Sequence, residues 1–115
     1  MRRGDVYLVD FEPSADADSN KVRPAVLVSN NAANSVVERN GRGVLTVVPL
    51  TSNTAHVYPF QILISSGEGG LAVESKAQAE QIRAVDYRRL SRRLGELSIA
   101  TVRRLDEAIR RHLAL

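Results

Sequence analysis

At 115 residues, 43% of them apolar, the chain is long enough for one domain with one hydrophobic core, expected over residues 1–115, and too short for a multidomain enzyme. It has no cysteine and only two histidines, His56 and His112, which excludes a disulfide framework, a thiol nucleophile, a thiolate metal site and a histidine cage. No metal or cofactor is therefore expected. Sixteen basic against thirteen acidic residues give a net charge of +3, which suits a polyanionic partner without requiring one.

The charge is unevenly spread. Residues 1–20 carry a net −3, whereas residues 83–115 hold nine Arg against four acids. Fourteen of the sixteen basic residues are Arg, whose planar fork binds phosphate and stacks on bases, although a GC-rich coding bias yields the same composition. No apolar run reaches the roughly 18 residues of a membrane span, and Asp5 and Asp10 interrupt the opening MRRGDVYLVDF, which is thus not read as a signal peptide. A cytoplasmic protein without membrane contact is expected.

In chain order, GDVYLVDF (4–11) is β-rich and bounded by Gly4 and Pro13-Ser14, a first strand. EPSADADSNKVR (12–23) lacks apolar anchors and reads as an exposed loop. PAVLVSN (24–30) is a continuous apolar run, a second strand buried on both faces. NAANSVVERNGRG makes a turn or two of helix before Asn40-Gly41 breaks it, and VLTVVPL (44–50) is a third strand opening into the polar TSNTAHV. YPFQILIS (58–65) is a fourth strand, with Pro59 favouring an edge or a strand start, and SGEGGL is a tight glycine turn. VESKAQAEQIRAV (73–85) mixes helix formers with a strand rhythm and is assigned to strand. From Ser98, a plausible N-cap, Ile99, Val102, Leu105, Ala108, Ile109 and Leu113 follow helical spacing, with Asp106–Arg110 and Glu107–Arg111 as i,i+4 pairs on the outer face. The class is α+β, mainly β: a small, strongly bent sheet or partly open barrel with attached helices.

GxGxxG, GKS/GKT, HExxH and GxSxG are all missing, so nucleotide hydrolysis, zinc proteolysis and α/β-hydrolase chemistry lack their parts. What remains is a pair of polar loops at the ends of two apolar strands. The first ends in Lys21-Val22-Arg23-Pro24 and the second begins Thr51-Ser52-Asn53-Thr54. If those strands are neighbours, Arg23 and Thr51 meet at a sheet edge, a fixed cation beside a hydroxyl donor, which is a means of holding phosphate. The plain alternative is a surface charge before a strand and a loop cap.

RGDVYLVDF, KVRPAVLVSN, VVPLTSNT followed by YPF, AEQIR and the closing RLDEAIRRHLAL together resemble, in order and spacing over essentially the whole chain, the MazF/PemK (Kid) toxins of bacterial toxin–antitoxin systems. The resemblance implies an SH3-like small barrel with a short inserted helix and a C-terminal helix. It also implies a homodimer and a sequence-specific endoribonuclease that cuts single-stranded RNA (mRNA, with rRNA or tRNA as further targets) without metal, leaving 2′,3′-cyclic phosphate and 5′-hydroxyl ends. A cognate antitoxin silences it. Arg23 and Thr51 fall on the family's catalytic pair. Many relatives have Gly-Ser-Glu-Gln ahead of the Arg-Pro, where this chain reads Asp16-Ala17-Asp18-Ser19, so Asp18 stands in the place of a Glu and RNA recognition is more affected than cleavage.

The same resemblance makes Asp18, Ser19, Lys21, Ser52, Asn53, His56 and Gln81 candidate RNA contacts. The Gln81 amide is suited to reading base edges, with satisfaction of strand backbone groups as the alternative. His56 is taken as a contact rather than a proton acceptor, since the family works without it. Phe11 and Phe60 are capable of stacking bases, with core packing the default at strand ends. Arg88-Arg89 and Arg92-Arg93 either gather phosphates or form a solvated surface. Two other function classes compete with the nuclease: a CcdB-like toxin that binds and poisons gyrase, and a catalytically inactive RNA-binding module.

Overall fold

The computed structural model describes residues 1–11 and 22–115. β1 (Asp5–Asp10), β2 (Val22–Leu27), β3 (Val44–Thr51), β4 (Gln61–Ile64), β5 (Ser75–Gln78), β6 (Arg83–Asp86) and β7 (Leu90–Glu96) are joined by α1 (Asn31–Asn40), and α2 (Ile99–Leu113) follows. The strands pair antiparallel in the order β4-β5-β3-β2-β1-β7, with β6 also on β3.

β1, β2 and β3 are covered on both faces, which explains why β2 reads as an unbroken apolar run. Val6, Val26, Val48 and Leu50 enter one cluster with Ile62, Ile64 and Leu105. The alternate residues Val9, Ala25, Leu27 and Val47 enter another, capped by Val37 of α1. Each cluster follows the period of two along its strands.

α1 is ten residues long, more than the turn or two expected. Asn30 caps it by accepting the Ala33 N–H at 2.8 Å, so Val28–Asn30 leave β2 to serve the helix start. Gly41 closes it at φ 68°, its N–H bonded to the Val37 and Glu38 carbonyls, a left-handed cap that a Cβ would strain. β4 is shorter than predicted: Gln61 Oε1 accepts the Tyr58 N–H at 3.1 Å, so Tyr58–Phe60 form its entry turn. The ambiguous 73–85 segment is largely extended, as assigned, but a 3₁₀ turn at Ala79–Gln81 divides it into β5 and β6. This break lets one stretch of chain pair with both halves of β3.

α2 starts at its predicted cap, Ser98, whose Oγ accepts the Thr101 N–H at 3.2 Å. Its buried stripe differs from the expected one, however. Thr101, Leu105 and Ala108 are buried, while Ile99 is 73% and Leu113 45% exposed. Apolar spacing could not foresee that the first turn seats the small, hydrogen-bonded Thr101 instead of Ile99. The two i,i+4 pairs are replaced as well. Asp106 bonds Arg3 at 2.7 Å, tying α2 to the chain ahead of β1, and Glu107 pairs with Arg110 one turn on. Among the described residues, no helix is long and apolar enough to cross a membrane.

Candidate functional site

β2 and β3 are neighbours with Ala25 opposite Pro49 and Val26 opposite Val48. The paired stretch ends at Ala25 and Pro49; Arg23 and Thr51 lie two residues beyond it, near the start of β2 and at the end of β3. Both are interior strands of the sheet, so the two residues meet at strand ends rather than at the sheet edge expected. Arg23 and Thr51 line a cleft of about 390 Å³ together with Ser52, Gly70, Ser75 and Arg92. Thr51 is half-buried and Arg23 exposed.

Thr51 Oγ accepts the Asn53 N–H at 3.2 Å and Asn53 Oδ1 accepts the Ala55 N–H at 3.3 Å. These local turns bend the chain away from β3 directly after Thr51. Because that bond uses the oxygen as acceptor, the Thr51 hydroxyl proton is left to donate into the cleft. Arg23 supplies a planar guanidinium fork matched to phosphate oxygens. A cation and a hydroxyl donor converging on a concave, solvent-accessible point are suited to a phosphate diester and to negative charge developing on its oxygens.

Lys76 is a site neighbour that the sequence did not reveal. It pairs with Thr51 across β3 and β5, is only 8% exposed, and donates from Nζ to the His56 carbonyl at 2.5 Å. The only available signal is a lone lysine in the small-residue stretch SKAQA, and the β3–β5 register that gives it meaning is tertiary.

Of the predicted contacts, Ser52 lines the cleft, and exposed Asn53 and His56 follow it in the same loop. Gln81 is exposed in the 3₁₀ turn between β5 and β6, not in a strand, and does not line the cleft. Asp18, Ser19 and Lys21 lie outside the described residues. Phe11 is half-buried against the second cluster with the Arg83 guanidinium 5.1 Å from its ring centre, consistent with packing. Phe60 belongs to neither cluster and stacks on Tyr58 instead.

A larger concavity of about 520 Å³ involves Asp10, Arg83, Asp86, Arg88 and Arg89. Its charges answer one another: Arg88 bonds Asp86 at 3.1 Å and Arg89 lies 3.8 Å from Asp10. The Arg88 hydrogen bond holds the Asp86 carboxyl below its ordinary range. Arg93 likewise pairs with the buried Asp5 at 3.2 Å. Of the two arginine pairs, Arg92 alone is a cleft residue. The smaller cleft is the better candidate, since it sets Arg23, Arg92, Thr51 and Ser75 in one concavity with apolar walls.

Residues 2–113 match the family described as PemK-like, MazF-like toxin of type II toxin-antitoxin system. Over its full length the chain is 53% identical to Endoribonuclease MazF9 of Mycobacterium tuberculosis, covering 98% of that protein. Its fold matches MazF (Form-I) from Deinococcus radiodurans with a TM-score of 0.79 at 24% identity, covering all of this chain and 97% of the other. It also matches a mycobacterial endoribonuclease solved in complex with its cognate antitoxin, with a TM-score of 0.76 at 25% identity, covering all of this chain and 96% of that one. A mainly antiparallel sheet carrying one short and one C-terminal helix, with an Arg-Pro strand and a Thr-Ser loop meeting at one cleft, is thus accounted for by descent: the chain belongs to the PemK/MazF family of type II toxin–antitoxin toxins.

Proposed function

We propose that this protein is a metal-independent endoribonuclease that cuts single-stranded RNA. The observation that carries this reading is the convergence of Arg23 and Thr51 on one cleft, in a chain 53% identical over all 115 residues to a named endoribonuclease. In the proposed course the ribose 2′-oxygen attacks the adjacent phosphorus as its proton departs, and the P–O5′ bond breaks. The 5′-oxygen takes up a proton, so the ends are a 2′,3′-cyclic phosphate and a 5′-hydroxyl, with no water consumed. Arg23 stabilises the charge of the pentacoordinate phosphorane, and Thr51 donates to a non-bridging oxygen. Such a course needs fixed positive charge rather than a Lewis acid. Among the described residues, no group of three or more His, Asp or Glu side chains is placed to hold a metal ion.

Ser52, Asn53 and His56, in the loop leaving Thr51, serve as RNA contacts in this reading, as do Asp18, Ser19, Lys21 and Gln81. The active unit is a homodimer of the 1–115 domain, held silent by a cognate antitoxin, as the antitoxin-bound mycobacterial relative suggests. An acidic, extended antitoxin segment would compete with RNA for the basic cleft. The sheet is read as an SH3-like barrel, closed where the turn Glu68–Gly70 after β4 packs on β7.

The experiment is incubation of purified protein with long single-stranded RNA in EDTA, with fragment ends analysed by primer extension and mass spectrometry. Discrete cuts ending in cyclic phosphate are expected. Intact RNA together with inhibited gyrase would install the CcdB-like reading in its place, and intact RNA that is nonetheless bound would leave an inactive RNA-binding module.

A further inference from the structure

The chain has seven aromatic or imidazole rings: three Tyr, two Phe and two His, with no Trp. Tyr7, Phe11 and Tyr87 pack against the second core cluster. The other four stand in a row outside both clusters. His56 lies 6.3 Å from Tyr58, Tyr58 stacks on Phe60 at 5.5 Å with 4° between planes, and Phe60 is 6.2 Å from His112 of α2. Tyr58 is 52% exposed. A half-exposed ring braced on its neighbour adds little to an aliphatic core, so the core does not explain the row.

The mounting is rigid. Gln61 Oε1 accepts the Tyr58 N–H, and Gln61 Nε2 donates to Glu80 at 2.6 Å. From beneath, Lys76 Nζ holds the His56 carbonyl and lies 5.8 Å from the Tyr58 ring centre, close enough for a cation–π contact. Lys76 is the residue paired with Thr51, so one lysine side chain links the strand beside Thr51 to the loop that carries the row.

We infer that Tyr58, braced by Phe60 and flanked by His56, is a stacking shelf for a base of the RNA strand whose phosphate sits at Arg23 and Thr51. Stacking on an exposed aromatic face is the general means of holding single-stranded bases, because every base has a π-face. The ammonium beneath the ring and the cations of the cleft favour a polyanion over an acid-poor apolar partner. This inference rests on the RNA-cutting reading for its occupant.

The test uses a randomised 2′-O-methyl RNA strand, which keeps phosphates and bases but lacks the attacking hydroxyl, so binding is read without cleavage. Tyrosine emission is unobscured by Trp and should be quenched by the strand in the wild-type protein but much less in Tyr58→Leu. Tyr58→Leu should weaken affinity about 5- to 140-fold, corresponding to ~1–3 kcal/mol at 1.4 kcal/mol per tenfold. Tyr58→Phe should stay within about threefold of wild type. The slope of log affinity against log salt should not change, because phosphate contacts set it and stacking does not. A Tyr58→Leu protein that binds as tightly as wild type overturns the shelf, as does a wild type that binds no strand. Unchanged RNA affinity with weakened self-association or antitoxin binding would make the row a protein interface and equally overturn it. Cleavage of unmodified RNA is scored separately: a wild type that cuts nothing but binds through Tyr58 refutes the nuclease and keeps the shelf.

Discussion

Thr51 and Lys76 face each other across the β3–β5 ladder, so a buried ammonium lies on the same face of the sheet as the proposed phosphate-binding hydroxyl. The Lys76 head group is engaged by the His56 carbonyl, which makes it a positioning residue for the loop that follows Thr51. Lys76→Met fills the same space and deletes that anchor. Stability should change by less than ~1 kcal/mol, since an apolar side chain of similar volume suits a buried site. The value of kcat/KM for RNA should nevertheless fall about tenfold through misplacement of the loop. A wild-type rate in the folded variant would remove Lys76 from the site.

Arg23→Ala should reduce turnover by ~2.7–4 kcal/mol, the scale for deleting one preorganised donor to a developing charge, while the melting curve stays close to wild type. Thr51→Ala should act in the same direction by a smaller amount, ~1.5–3 kcal/mol, because water replaces a neutral donor more readily than a fixed cation. Single-turnover cleavage of a defined RNA measures both. A folded Arg23→Ala enzyme at full rate would mean that the reaction occurs elsewhere.

Gly70 adopts φ +73°, and a Cβ built on it would lie 2.0 Å from the Leu94 carbonyl oxygen. That contact is with backbone, so no rotamer change relieves it. Gly70→Ala should destabilise by more than ~2 kcal/mol, and urea denaturation would show this as a lowered midpoint. Because Gly70 also lines the cleft, surviving folded protein should cleave more slowly. A midpoint equal to wild type would show that the turn on β7 has room to move.

Glu68 accepts the Ser98 N–H at 3.1 Å and the Ser98 hydroxyl at 3.3 Å, tying the turn after β4 to the start of α2. Hydrogen bonds from Thr101 and then Ser98 hold its carboxyl below the ordinary glutamate range. A depressed carboxyl stabilises the fold above its unfolded pKa of ~4.3 and loses that contribution as pH falls through the lower folded value. Glu68→Gln should therefore be less stable than wild type at pH 7 by ~0.5–1.5 kcal/mol. The two melting temperatures should converge as the pH drops below about 4, and a gap constant across that range would exclude the carboxylate as its source.

Much of the architecture was legible from local pattern. β1, β2 and β3 showed in their apolar runs, α2 in its 3.6-residue period, the end of α1 in Asn40-Gly41 and the start of α2 in Ser98, because capping and periodicity are properties of neighbouring residues. The Arg-Pro and Thr-Ser segments were equally visible, and with them the family. Pairing, by contrast, joins residues far apart in the chain. Only the pairing of β2 with β3 brings Arg23 and Thr51 to one cleft, and only that of β3 with β5 adds Lys76. The division of 73–85 into β5, a turn and β6 was likewise imposed by β3, whose edge accepts a strand at each end. On α2, burial chose Thr101 over Ile99, since the partner surface and not hydrophobicity decides which face turns inward. Four rings spread over residues 56–112 became one row for the same reason: side-chain contacts between distant segments exist only after the backbone has closed on itself.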